Sequence, residues 1–590
     1  MCGICGELRF DKQSVDQSLI ESMMQRLEKR GPDSAGFFVD NNIGLGHRRL
    51  AIIDLSEKSS QPMFDAQLGL HVVFNGTIYN YKQLREQLKQ KGHQFFSEGD
   101  TEVILKAYHH WGEDCVKHLH GMFAFAVWDH AKKQLFIARD RVGIKPLYFN
   151  QTDKALRFAS NIQALLEADD IDTSIDSFAL HNLFTLHAVV PAPRTILKGI
   201  RKLRPAHTLT ISEKGDVQEK CYWQLNATRP EKPLSEQEWI DEIHEALRNA
   251  VKVRKEIADV PVGVLLSGGL DSSLLVALLA EAGVKDILTF SIGFEDIGEE
   301  YGSEFEFSDA VVERFNTVHH KMHVPNEEVL KRLPEAVANM AEPMFGQDAV
   351  AFYLLAEQVS KHVKVVQSGQ GADEVFGGYF WFPKMQQATG SSLDRFRQHY
   401  FDRDHDEYLQ MVSKDYQQED YTSQLINNLL NAPNADTFMD TVLRMDTTTL
   451  IVDDPVKRVD NMTMAWGLEA RVPFLDQKLL EIAAKMPPEL KLKSEGKHPL
   501  KVISRGLLPD KVIDRPKGYF PMPALKYVRG EFLEFMRDIL CSQACLNRGI
   551  YQRSYVDKLL NEPEQHLTRL QGSKLWHLSL LEFWLQSHNL

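Results

Sequence analysis

The hydrophobic pattern is most legible from residue 262 onward. Residues 262–266 are a continuous apolar run, which predicts a buried parallel strand. The run stops at Ser267, Gly268, Gly269, Leu270, Asp271, Ser272 and Ser273, and residues 274–282 then carry apolar positions at helical spacing. Residues 287–294 and 364–367 read as two further buried strands, so strand, helix and strand alternate. That alternation predicts a doubly wound parallel sheet with ligands at the carboxyl ends of its strands. Nearer the amino terminus, residues 70–74 are strand-like, residues 51–53 are apolar, and Glu98 to Glu102 reads as a capped helix start.

Between these regions, residues 187–206 have the proline-rich, turn-laden look of a connector. A polar stretch ends in a helix cap at Ser235 and Glu236, ahead of an amphipathic segment at 239–253. The pattern therefore predicts two domains, 1–215 and 237–590, joined by a linker at 216–236. Residues beyond about 530 are helical in pattern and name no chemistry.

Composition narrows the class. At 590 residues with 43% hydrophobic and 25% charged positions, the chain is long enough for several cores and ordinary for a globular protein. A net charge of −14 with no long basic stripe argues against nucleic acid as a partner. No apolar run approaches the ~18 residues of a membrane span, and no basic start leads into an apolar signal segment, so a cytoplasmic protein without a membrane partner is expected. Six cysteines do not make a disulfide framework in so long a chain. Cys2 and Cys5 have the spacing of a metal or redox pair, but no second cysteine or histidine pair lies at finger spacing. Oligomeric state is left open, a homo-oligomer included.

The turn at 267–273 bares backbone N–H groups and hydroxyls at a helix start, where a polyanion such as phosphate is favoured. Its glycines allow close approach, and Asp271 adds a carboxylate suited to Mg²⁺. An ordinary serine-capped turn is the alternative for SGG alone. The seven-residue stretch resembles the pyrophosphate loop of the N-type ATP pyrophosphatases and, unlike GxxxxGK[ST], contains no lysine.

At the other end of the chain, removal of Met1 would give Cys2 both a thiol and an α-amine of pKa about 7.7 to 8.0, able to act as its base. A bystander cysteine is the alternative. Arg30-Gly31-Pro32-Asp33, Gly46-His47-Arg48-Arg49-Leu50, Phe74-Asn75-Gly76-Thr77, Glu98-Gly99-Asp100-Thr101-Glu102 and Ala138-Arg139-Asp140-Arg141 follow in order. Together they resemble the class II glutamine amidotransferase domain, an N-terminal-nucleophile hydrolase with two stacked antiparallel sheets between helices, over roughly residues 2–210. The resemblance implies Cys2 as nucleophile, Asn75 and the Gly76 N–H as holders of the oxyanion, Arg49 for the α-carboxylate of glutamine and Asp100 for its ammonium. Thr77 departs from the glutamate often found there, which implies weaker glutamine binding.

In the second half, Ser368-Gly369-Gln370-Gly371-Ala372-Asp373-Glu374, Arg458-Val459-Asp460-Asn461-Met462 and Arg471-Val472-Pro473-Phe474-Leu475-Asp476 resemble the asparagine synthetase family, so that the resemblance covers nearly the whole chain. It implies ATP bound by Ser267, Gly268, Gly269, Asp271, Ser272 and Ser273, with Leu266, Ile292, Ser368 and Gly369 against the adenosine. It further implies Mg²⁺ on Asp271 and Asp373, and Lys501 as the lysine turned to the phosphates. The reaction it implies hydrolyses glutamine, passes ammonia through an internal channel for which Met122 is a candidate lining residue, adenylates a carboxylate and displaces AMP.

Gln370 departs from the glutamate usual at that place. A neutral amide cannot balance an acceptor ammonium, which points to an acceptor without a free α-amine; a tolerated isostere in an enzyme acting on aspartate is the alternative. The phrases at 186–195, 298–305 and 366–374 are similar to the branch of N-acetylglutaminylglutamine amidotransferases, which amidate a capped dipeptide to make an osmolyte. An inactive scaffold, a simple glutaminase and a glutamine-independent adenylating enzyme are further alternatives. The acidic run at 295–309 reads as a solvated loop or a lid, and the histidines at 319, 320 and 323 read as packing.

Overall fold

The computed structural model describes residues 2–296, 301–515 and 522–590. The amino-terminal part consists of β1 (Gly3–Arg9), β2 (Ser34–Asp40), β3 (Ile43–Arg49), β4 (Met63–Asp65), β5 (Leu70–Ile78), β6 (Gly121–Asp129), β7 (Gln134–Arg139), β8 (Tyr148–Gln151), β9 (Ala155–Ala159), β10 (Arg201–Lys202), β11 (His207–Ser212) and β12 (Val217–Cys221). They form two antiparallel six-stranded sheets, in the orders β10-β8-β9-β1-β3-β2 and β12-β11-β7-β6-β5-β4. Ile4, Leu8 and Leu45 of the first sheet interlock with Val73, Ala124, Ala126 and Ile137 of the second. The outer faces are covered by helices: Gln17–Arg26 on the first sheet, Thr101–Trp111 on the second. Burial on both faces explains why β6 and the first half of β5 read as near-continuous apolar runs rather than alternating ones.

Val217–Cys221, assigned to the linker by pattern, pairs with β11 and belongs to the second sheet. Its mostly exposed, polar sequence hides an edge strand. Ser235 and Glu238 form a reciprocal capping box that starts the helix Glu236–Glu256.

The second domain is built on a parallel sheet of β13 (Val262–Leu265), β14 (Leu288–Phe294), β15 (Val318–Val324), β16 (Val365–Gln367) and β17 (Glu469–Arg471), in the order β15-β14-β13-β16-β17. The inner strands β13 and β16 and the edge strand β17 are wholly buried, whereas the opposite edge strand β15 is partly exposed. There His320 stacks on Phe290 at 5.1 Å and His319 bonds the Thr289 hydroxyl at 2.9 Å, which is packing. After β16 the described chain is largely helical. Of the acidic run, residues 297–300 lie outside the described residues, and Phe305–Phe315 is a helix rather than a loop. No helix among the described residues is long and apolar enough to cross a membrane.

Candidate active site

Two centres sit in one chain. In the antiparallel sandwich, Cys2 is buried at the head of β1 and its backbone nitrogen donates to Asn75 Oδ1 at 3.1 Å. Asn75 Nδ2 is buried and has no hydrogen-bond partner among the described residues, which leaves its N–H groups able to donate to a group brought beside them. Gly76 follows on β5, and a Cβ there would come within 2.1 Å of the Met122 carbonyl; only glycine lets β6 approach so closely. Burial pushes the Cys2 thiol up, so forming its thiolate requires a neighbouring base.

Arg49, at the end of β3, is locked by the carbonyls of Asp54 and Ser56. Asp100 Oδ2 accepts from the Ile78 N–H at 3.0 Å, and burial raises its pKa to about 6. Thr77 sits elsewhere in the circuit: its hydroxyl donates at 3.2 Å to Glu469, a residue of β17 in the other domain, which is also held by Arg471 at 2.6 Å. Burial works against the Glu469 charge, but Arg471 and Lys145 help hold its pKa down to about 2.

The second centre is a cavity of about 440 Å³ at the carboxyl ends of β13 and β16. Leu266, Ser267, Gly269, Asp271, Ser272, Ile292, Ser368, Gly369, Gln370 and Asp373 line it. Gly268 and Ser273 do not: Gly268 adopts φ +80° against the Ser308 backbone, and the Ser273 hydroxyl is fully buried behind the turn. A Cβ on Gly369 would touch Asp271 Cβ at 3.1 Å, so the two glycine loops meet. Gln370 accepts a hydrogen bond from Ser368 Oγ.

Between the loops stands Lys497, with Nζ 2.6 Å from Asp271 and 2.8 Å from Asp373. Burial opposes its charge, yet the two carboxylates outweigh that and hold the ammonium firmly protonated. Lys501 also lines the cavity, but its ammonium donates to the Ser494 carbonyl. Lys497 is the left-handed residue, φ +55°, just before the helix His498–Ser504 that carries Lys501 four residues on, and depth in the cavity separates the two. Arg515 is a second cation that pattern did not find: it pairs with Glu304 at 2.8 Å, and its Nη2 lies 3.6 Å from where a Cβ on Gly269 would be. Arg458 and His187 line the cavity too.

Buried charges dock the halves. Asp460 accepts from Arg30 at 3.1 Å and Lys145 at 2.9 Å, while Lys202 meets Asp453 at 2.8 Å and Glu342 at 3.2 Å. Arg30 also donates to the Cys2 carbonyl at 3.3 Å. The helix Pro455–Met464 thus touches the first centre through Asp460 and lines the second through Arg458.

Residues 242–586 match the family described as Asparagine synthase, and residues 1–223 match the Glutamine amidotransferase domain. The chain is 32% identical to asparagine synthetase [glutamine-hydrolyzing] 1 of Bacillus subtilis, over 99% of this chain and 96% of that protein. It is 31% identical to asparagine synthetase 3 of the same organism, over 100% and 99%, and 29% identical to asparagine synthetase 2 of Oryza sativa, over 90% and 77%. With both centres, their order and these whole-length similarities in agreement, the chain belongs to the asparagine synthetase family of glutamine-hydrolysing, ATP-dependent amide-forming ligases.

Proposed function

We propose that Cys2 attacks the side-chain amide of glutamine, with Arg49 on the substrate carboxylate and Asp100 on its ammonium. Asn75 Nδ2 and the Gly76 N–H hold the tetrahedral oxyanion. The ammonia released passes between the domains to the 440 Å³ cavity, where ATP has activated a carboxylate as its acyl-adenylate; ammonia displaces AMP. Lys497 and Arg515 meet the phosphates. Asp271 and Asp373 converge on one point of positive charge, a donor set that suits Mg²⁺, which would neutralise pyrophosphate as it leaves. The observation that carries this reading is the pairing, within one docked chain, of a buried cysteine facing an unpartnered amide with a glycine loop facing two aspartates and a lysine.

For the acceptor, the names of the relatives favour aspartate. Glu374 and Asp446 line the cavity and offer carboxylates to an ammonium. One observation favours N-acetylglutaminylglutamine instead: Gln370 places a neutral amide where the family commonly has an acid, and a capped acceptor brings no ammonium to balance. Incubation with Mg-ATP, glutamine labelled with ¹⁵N in its side chain, and both acceptors in competition decides by mass spectrometry. Labelled asparagine supports the first reading, label in the dipeptide amide the second, and no AMP with either acceptor overturns the amidation reading.

A further inference from the structure

The cavity has a wall beyond the phosphate end. Glu374, adjacent to Asp373, accepts from the Tyr379 hydroxyl at 2.7 Å; Tyr379 stacks on Trp381 at 4.2 Å, and Trp381 meets Tyr400 edge-on at 5.9 Å. Two residues later stands Asp402, whose carboxylate accepts a hydrogen bond from His187 Nδ1 at 3.0 Å. His187 lies within the amidotransferase half, between the helix Ser177–Thr185 and β10, so the stretch read as a connector is part of that domain, yet it lines the synthetase cavity.

Its backbone is unusual for its residue type. The helix Ser177–Thr185 closes with Ala188 N–H bonded to the Leu183 carbonyl at 2.9 Å, a turn whose left-handed position normally goes to glycine. Here His187 takes it, at φ +54°. The bond to Asp402 fixes the proton of the neutral ring on Nδ1. The side chain keeps 15% exposure, and Nε2 makes no hydrogen bond among the described residues.

His187, Asp402 and His577 hold potential ligand atoms within 4.8 Å of one another. A metal is disfavoured because the buried Arg403 guanidinium lies 3.4 Å from His577 Nδ1. The cluster is a hydrogen-bond brace that aims one histidine edge at the cavity.

We propose that His187 is a specificity-determining residue for the carboxylate acceptor. Its Nε2 accepts a hydrogen bond from an N–H of the acceptor, whose body lies along Tyr379, Trp381 and Tyr400. This rests on the amidation reading above. It also makes the acceptor site complete only when the two domains are docked.

The test is His187→Asn. Asparagine tolerates the left-handed backbone and its amide can still donate to Asp402, but it lacks the Nε2 edge. Wild type and variant are assayed for AMP with aspartate and with N-acetylglutaminylglutamine, and separately for glutaminase activity and the KM for ATP. The expected result is at least a tenfold rise in KM for whichever acceptor the wild type amidates, with glutaminase and ATP KM unchanged. His187→Gln, which carries an amide oxygen near the lost nitrogen, should recover part of that rise. An unchanged acceptor KM, or a rise confined to ATP, overturns the inference alone. A wild type that makes no AMP with either acceptor overturns the amidation reading and the inference with it.

Discussion

Lys497 Nζ lies 2.6 Å from Asp271 Oδ2, a contact that joins positions 226 residues apart and closes the phosphate end of the cavity. Replacing it with methionine removes the cation that sits between two carboxylates. Lys497→Met should lower AMP formation by 10² or more, about 3 kcal/mol, while glutaminase activity stays near wild type. Lys501→Ala should cost only a few-fold. Pyrophosphate release compares the two, and equal losses would show that depth does not separate them.

The unpartnered amide of Asn75 predicts a loss confined to the other centre. Asn75→Ala should reduce glutaminase kcat by about 10² to 10³, matching the ~2.7 to 4 kcal/mol of one oxyanion donor. Synthesis driven by ammonium chloride should persist in the variant. If both activities fell together, Asn75 would be serving the fold.

Asp100 gives glutamine binding a pH dependence. Burial raises its carboxyl to about 6, so its charge is lost as pH falls through that value. The glutamine KM should therefore rise below pH 6 and level off above pH 7. Asp100→Asn should show a higher KM that no longer changes across this range, measured by glutamate release.

Glu469 links pH to docking through a carboxyl shifted the other way, down rather than up. Its pKa of about 2 in the folded protein, against ~4.3 unfolded, means that its contribution is fully present above about pH 4.3 and is lost as pH falls toward 2. The melting temperature should fall over that window, and Glu469→Gln should flatten this part of the profile. An unchanged slope in the variant would assign acid sensitivity to other carboxylates.

Asp460→Asn would leave Arg30 and Lys145 buried with one neutral amide between them. A destabilisation of about 3 to 5 kcal/mol is expected, read by chemical denaturation. Because this residue fastens the helix that reaches both centres, glutamate should also form in excess of AMP. A one-to-one ratio in a destabilised variant would mean that docking here does not govern coupling.

The primary structure carried the local chemistry. The turn at 267–273 and the acidic glycine loop at 368–374 can be read locally because their backbone requirement and charge are written into consecutive residues, whereas Cys2, Asn75 and Gly76 are singled out only through the ordered resemblance of their segments to a known domain. The alternation of strand and helix likewise set the parallel sheet, since buried parallel strands are continuously apolar. Folding in three dimensions decided what sequence distance conceals. Lys497 and Lys501 are of one residue type and four positions apart, and only the packing of the left-handed turn before the helix His498–Ser504 against both glycine loops buries one ammonium between the acids. Thr77 spends its hydroxyl on Glu469, 392 residues away, and His187 crosses from one domain to the other's cavity because Asp402 anchors it there. Such long-range pairings leave no periodicity in the chain, because they arise only when separately specified surfaces come to lie against each other.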